Sequence, residues 1–227
     1  MSNKILTNTL YYDLLIKVYL NKEGRITLKN FFVVVTALSG VLFVIFYVWN
    51  IFQRKIEPTL STWIIFLFGT GLSLITYGIS ENRDFKSGIL NVVDFTSVVI
   101  ILLVIIIYGK KEIFFKPFEK YYLLGVAFII TYGLLFKDAW GSNIFTQVLI
   151  GIGYIPTIHN LLSTKKNEES IIAWIIADIV CITSLVPAYI GGNALSLTYS
   201  LRSVVLVSLM LFLMIYYELK NKKAVSY

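Results

Sequence analysis

Three ionisable side chains stand inside long apolar runs: Asp94 in L-N-V-V-D-F-T-S-V-V, Asp178 in A-W-I-I-A-D-I-V-C, and Arg202 in S-L-R-S-V-V-L. A charge in the hydrocarbon region of a bilayer is costly, so such residues face a bundle interior, a polar cavity or a partner. Asp94 and Arg202 fall at similar depth from one face, and two readings stay open for them. One is an ion pair that holds helices together; the other is a vestibule that contacts a polar solute. Asp178 has no cation near it in sequence. A mid-bilayer carboxylate of that kind suits proton carriage, and its alternative is a packing residue that accepts from a Ser or Thr of a neighbouring helix. Trp49, Asn50, Tyr47, Asn143, Tyr154 and Trp174 could supply the aromatic walls and amide hydrogen bonds that a ring-bearing solute needs. Catalysis has no comparable constellation. The chain lacks an H-E-x-x-H, a serine–histidine pairing with an orienting acid, and clustered carboxylates, so no enzyme and no cofactor is expected. One histidine and one cysteine do not build a zinc site, and Cys181 is expected as a small buried apolar residue.

The elements that position these residues are set by composition. The 227 residues are 57% hydrophobic and 15% charged, with a mean hydropathy of +0.78, so the membrane is the solvent. The formal charge of +7 is carried by short Lys/Arg runs between apolar segments, which is topology information and not a nucleic-acid footprint. Seven apolar segments follow one another over 31–53, 62–80, 88–108, 118–136, 142–163, 170–190 and 194–217. At 1.5 Å per residue each crosses a hydrocarbon core of about 30 Å. The β-branched run V-V-I-I-L-L-V-I-I-I suggests a strand in water, but in lipid only a helix satisfies its backbone.

Residues 1–30 predict an N-terminal tail with an interfacial helix, in which Asp13 and Lys17 share a face, and 218–227 a C-terminal tail. The first long apolar run starts only at Phe31, unlike the layout of a cleavable signal peptide. The connections are short and polar, which predicts one bundle over 31–217 and no second domain. On the face of the C-terminus lie Arg54, Lys55, Lys110, Lys111, Lys116, Lys120, Lys165, Lys166, Lys220, Lys222 and Lys223, against Arg83, Lys86 and Lys137 opposite. That asymmetry predicts a cytoplasmic C-terminus in a cell (inner) membrane, although the tail cations Lys4, Lys17, Lys22, Arg25 and Lys29 would then lie outside.

The second half of the chain repeats the first. Val41–Tyr47 (V-L-F-V-I-F-Y) falls on Val148–Tyr154 (V-L-I-G-I-G-Y), Trp63 on Trp174, Ser73-Leu74 on Ser184-Leu185, and F-T-S-V-V-I-I at Phe95 on L-R-S-V-V-L-V at Leu201. The match makes 31–108 a first repeat, 142–217 a second, and 118–136 a linker helix. One linking helix restores direction, so the two triplets are parallel and related by an axis along the membrane normal. Pro156 removes a helical hydrogen bond and Gly153 thins the helix just before it, which predicts a hinge in the fifth span. His159 falls one turn from that span's end, as a satisfied interfacial residue or a gate.

This 3+1+3 plan, with G-Y-I-P-T-I in the fifth span and a short K-K-N-E-E turn, resembles the PQ-loop and SWEET transporters. The helix W-I-I-A-D-I-V followed by A-L-S-L-T-Y is similar in layout to the nicotinamide-riboside (PnuC-type) vitamin transporters. Pro156-Thr157 stands where a Pro-Gln pair is expected, and repeat 1 has Trp49-Asn50 with no proline. The resemblance implies an all-α seven-helix carrier that moves a vitamin, nucleoside-like or sugar solute by rocking of two three-helix repeats about a midplane site. The competing expectation is a seven-helix sensor or accessory protein that binds a ligand or partner without transport. The seventh span has no interior lysine for a retinal Schiff base. Expected partners are the lipid bilayer and a small-molecule solute, with a homo-oligomer left open and no nucleic acid.

Overall fold

The computed structural model describes residues 22–56, 58, 60–80, 83–108, 117–136, 138–165, 167 and 169–225, with backbone alone at 61, 117–120, 122, 123, 133, 134, 139, 156, 160 and 222–225. Every regular element among them is helical: α1 (Lys22–Phe52), α2 (Leu60–Gly78), α3 (Ile89–Tyr108), α4 (Pro117–Phe136), α5 (Ala139–Gly153), α6 (Ile155–Thr164), α7 (Ile171–Gly191) and α8 (Ala194–Val225). Among the described residues five rods are long and apolar enough to cross a membrane: α1, α3, the consecutive α5–α6, α7 and α8. In α2 the apolar stretch is shorter, Thr62–Gly78.

Side chains are distributed as lipid demands. The outer surface carries Phe31, Val34, Leu38, Val41, Ile45 and Phe52 on α1, and Val205, Leu209 and Phe212 on α8. The interior holds Thr36, Thr70, Ser73, Asn91, Asn143, Thr146, Gln147, Ser184, Ser200 and Ser203. In a bilayer the hydrophobic effect does not drive helices together, so small and polar side chains that bond across the interface mark the interior. This is an all-α integral membrane protein.

α3 packs against both α1 and α2, and α8 packs against both α7 and α5. Between these groups α1 lies on α7 and α2 lies on α5, while α4 packs outside on α5 and α2. At Gly40 an added Cβ would run into the Val93 side chain, so α1 and α3 approach closely there. Asp138 accepts from the Gly141 N–H at 2.9 Å and so caps α5, and the same bond holds its carboxyl below the usual carboxylate range. Ser170 caps the start of α7, and Gly192 caps its end with φ of 66°, a left-handed conformation that favours glycine.

Two boundaries depart from the sequence expectation. α1 begins at Lys22 and not at 31, so residues 22–30 belong to the first long helix. At 1.5 Å per residue its 31 residues run to about 46 Å, which carries Lys22, Glu23 and Arg25 past a hydrocarbon core of about 30 Å into the polar zone. The remainder of the expected interfacial helix, with Asp13 and Lys17, lies outside the described residues, as do Lys110, Lys111, Lys116, Lys137 and Lys166. The fifth span is also broken. α5 stops at Gly153 and α6 restarts at Ile155, with Pro156 in its first turn. Proline has no N–H to donate, so the helical ladder cannot continue through it. The Tyr154 N–H instead bonds Gly151 O at 3.2 Å.

Candidate functional site

The two ends of the bundle are built differently. At the end where α2 meets α3, Asp84 gathers polar groups from three segments. It pairs with Lys29 of α1 and accepts from Ser87 Oγ at 2.8 Å, and its backbone carbonyl accepts from the Tyr77 hydroxyl at 2.6 Å. Burial pushes its carboxyl up, but the hydrogen bonds from Lys29, Ser87 and the Lys86 N–H and the Lys29 charge outweigh this, and it sits below the usual carboxylate range.

Beneath that cluster lies a buried polar layer between α2, α3 and α5. Ser73 donates to Asn91 Oδ1 at 2.8 Å, and Asn143 donates to Thr76 Oγ1 at 2.9 Å and to the Ser73 carbonyl at 3.3 Å. Gln147 donates to Ser73 Oγ and to Asn143 Oδ1, each at 3.0 Å. Both amide hydrogens of Asn143 and of Gln147 are therefore engaged. Gln147 Oε1 turns the other way and accepts from Arg202 Nε at 2.9 Å.

Arg202 opens the second region, a cavity of about 120 Å³ that runs from the polar layer towards Thr62 and Glu169 at the opposite end of the bundle. Its inner end is a polar triad. The Tyr199 hydroxyl donates to Asp94 Oδ2 at 2.8 Å, and the Arg202 guanidinium lies 4.6 Å from the centre of the Tyr199 ring. Asp94 and Arg202 are thus joined through Tyr199 and not as a direct ion pair. Two donors remain: Arg202 Nη2 and the hydroxyl of Ser203, both buried, meet no hydrogen-bond partner. Ser203 is 2% exposed, and both residues line the cavity. A buried polar group left this way is uncommon and costs about 1–3 kcal/mol.

The outer part of the cavity is an aromatic collar. Ring centres follow one another from Tyr47 to Trp63 (5.1 Å), Phe66 (6.0 Å), Tyr154 (5.5 Å) and Trp174 (6.4 Å), all of them cavity-lining. Glu169 joins its two ends: Oε2 accepts from the Tyr47 hydroxyl at 3.2 Å and from Trp174 Nε1 at 3.5 Å. The break at Tyr154 sets that side chain between Phe66 of α2 and Trp174 of α7.

Of the residues singled out in the sequence, Asp94, Tyr154 and Arg202 come together on the cavity, with Tyr47 and Trp174. Trp49, Asn50 and Asp178 do not. The buried stripe of α1 is Thr36, Gly40, Tyr47 and Ile51, and Trp49 lies about 200° round the helix from Tyr47, 58% exposed on the lipid side. Asn50 donates to Phe46 O at 2.6 Å within its own helix. Asp178 turns towards α8 and accepts from Ser208 Oγ at 2.7 Å, the packing alternative open to it from sequence. Asn143 belongs to the polar layer, and His159 is exposed. The hinge pair Pro156 and Gly153 flanks the break.

Gln147, Tyr199, Ser203 and Glu169 were not singled out. Asn143 and Gln147, one turn apart inside an apolar helix, were a usable signal, as was Tyr199 three residues before Arg202. Cys181 is buried, as expected, and lines the cavity as a free thiol. Among the described residues no three of His, Cys, Asp and Glu are placed to hold a metal ion. Comparison of the chain with protein-family models, curated proteins and solved structures finds no match.

Proposed function

We propose that this protein is a membrane carrier for a small polar or ring-bearing solute, built as two parallel three-helix repeats that rock about the cavity. The observation that carries the reading is which residues meet there. Tyr47 and Tyr154, Trp63 and Trp174, Ser97 and Ser203 are three pairs matched by the internal repeat, and all six line the same cavity. The matched serines Ser73 and Ser184 behave alike, each tying the second helix of its triplet to the third, Ser73 to Asn91 and Ser184 to Ser200. Packing has the same symmetry: α3 lies between α1 and α2, α8 between α7 and α5, and the triplets meet as α1 on α7 and α2 on α5. A path on the axis between parallel repeats is where such carriers hold a solute. Here that path has a collar at one end and a layer of engaged amides at the other, the arrangement of a site open to one side at a time. On this reading the Lys/Arg asymmetry of the loops supports a collar that faces the cytoplasm.

The test is uptake by the purified chain in proteoliposomes, with Cys181 as reporter, since it is the chain's single cysteine and lines the cavity. Saturable uptake of a neutral ring-bearing solute, abolished by a thiol reagent in the wild type and resistant to it in Cys181→Ala, is the expected outcome. Saturable binding without any uptake would overturn the carrier reading in favour of a sensor or accessory protein.

A further inference from the structure

We infer that the inner end of the cavity is a subsite for an uncharged hydrogen-bond acceptor, a carbonyl or amide oxygen carried on a flat apolar or aromatic ring, and that it rejects the corresponding carboxylate and ammonium. This rests on the carrier reading and narrows its solute. Two buried donors on adjacent residues, Arg202 Nη2 and Ser203 Oγ, belong to side chains that line the cavity and have no partner. One oxygen with two lone pairs can accept from both. Arg202 is held in place for this by its Nε bond to Gln147 and by the Tyr199 ring beneath it.

Charge decides between a neutral acceptor and an anion. The inner end already holds one cation, Arg202, and one anion, Asp94, linked by Tyr199. A carboxylate on the solute would join two anions already on the cavity, Asp94 and Glu169, without a second cation, and an ammonium would add a cation whose nearest carboxylates are already bonded, Asp94 to Tyr199 and Glu169 to Tyr47 and Trp174. The first leaves an uncompensated charge away from water, and the second meets no carboxylate that is free to pair with it. A neutral amide satisfies both donors and adds none. Size agrees: about 120 Å³ is close to the roughly 150 Å³ apolar cavity that takes up benzene. The Phe66, Tyr154 and Trp174 rings offer faces on which such a ring can pack.

The experiment is a thermal-shift titration of the purified full-length chain with three matched probes, benzamide, benzoate and benzylammonium. Benzamide should bind at least about tenfold more tightly than either charged probe. Ser203→Ala should weaken benzamide about five- to tenfold, the value of one neutral hydrogen bond. Arg202→Lys, which keeps the charge but loses the planar fork, should weaken it further. Ser203→Ala removes only a hydroxyl and stands as the test even if Arg202→Lys does not fold. Benzoate or benzylammonium binding as tightly as benzamide, benzamide indifferent to Ser203→Ala, or no binding by any of the three would overturn the subsite. If benzamide binds in this pattern but no neutral ring amide enters liposomes, the carrier reading fails and the subsite stands. Uptake of the carboxylate in place of the amide would overturn the subsite and leave the carrier.

Discussion

The polar layer and the inner end of the cavity share Arg202, yet they treat their hydrogen-bonding groups in opposite ways. In the layer, the amide hydrogens of Asn143 and Gln147 all find acceptors on α2 and α5. Next to it, the second guanidinium nitrogen of Arg202 and the hydroxyl of Ser203 find none, and on α5 the hydroxyl of Ser142 also goes without. A satisfied network holds helices in one arrangement, whereas unsatisfied donors lower stability and gain only when something docks on them. The first region is built for position and the second for occupancy.

The largest effect should come from removing the residue that serves both. Gln147→Leu removes the donor to Ser73 Oγ and to Asn143 Oδ1 and the acceptor of Arg202 Nε, and the loss of the three bonds should be about 3 kcal/mol. Unfolding in detergent would then come about 6–12 °C earlier. An unchanged midpoint would mean that the layer does not hold α2, α5 and α8 together. Tyr199→Phe should follow at about 2 kcal/mol, because Asp94 loses the hydroxyl that solvates its carboxylate.

Ser203→Ala should act with the opposite sign. Deleting a buried hydroxyl with no partner should raise the stability of the ligand-free protein by about 1 kcal/mol while weakening benzamide. A destabilised Ser203→Ala would place that hydroxyl with the layer and erase the contrast.

The smallest effect belongs to the exposed end. Lys29 and Asp84 are partly open to solvent, so Asp84→Asn should cost under about 1 kcal/mol at neutral pH. The folded-state value of Asp84 lies below its unfolded one. Its contribution is therefore complete above about pH 4–5, disappears as acidification passes through the lowered value, and should be missing from the acid limb of Asp84→Asn.

Much of this was legible in the chain. Composition decided lipid as the solvent, and lipid decided helices, because a spanning backbone must satisfy its own hydrogen bonds. Sequence matching also set Tyr47 beside Tyr154 and Trp63 beside Trp174 before any coordinates, and all four line the cavity. Intramembrane charge singled out Asp94 and Arg202, since a charge inside an apolar run must face something, and both line the cavity. What a charge faces is another matter. Asp178 looked the sharper of the two carboxylates, and yet a rotation of α7 gives it to Ser208, while Asp94 meets Tyr199 across 105 residues of chain. Trp49 and Tyr47 are two residues apart, and helical geometry sends one to lipid and the other to the cavity. Spacing along a helix fixes relative directions, but the direction of the axis of the bundle is set by packing. So the sequence alone determined a membrane-spanning helical chain with costly interior charges. Only the tertiary structure decided which charges share a cavity, which amides are already engaged, and that Arg202 and Ser203 are left facing it.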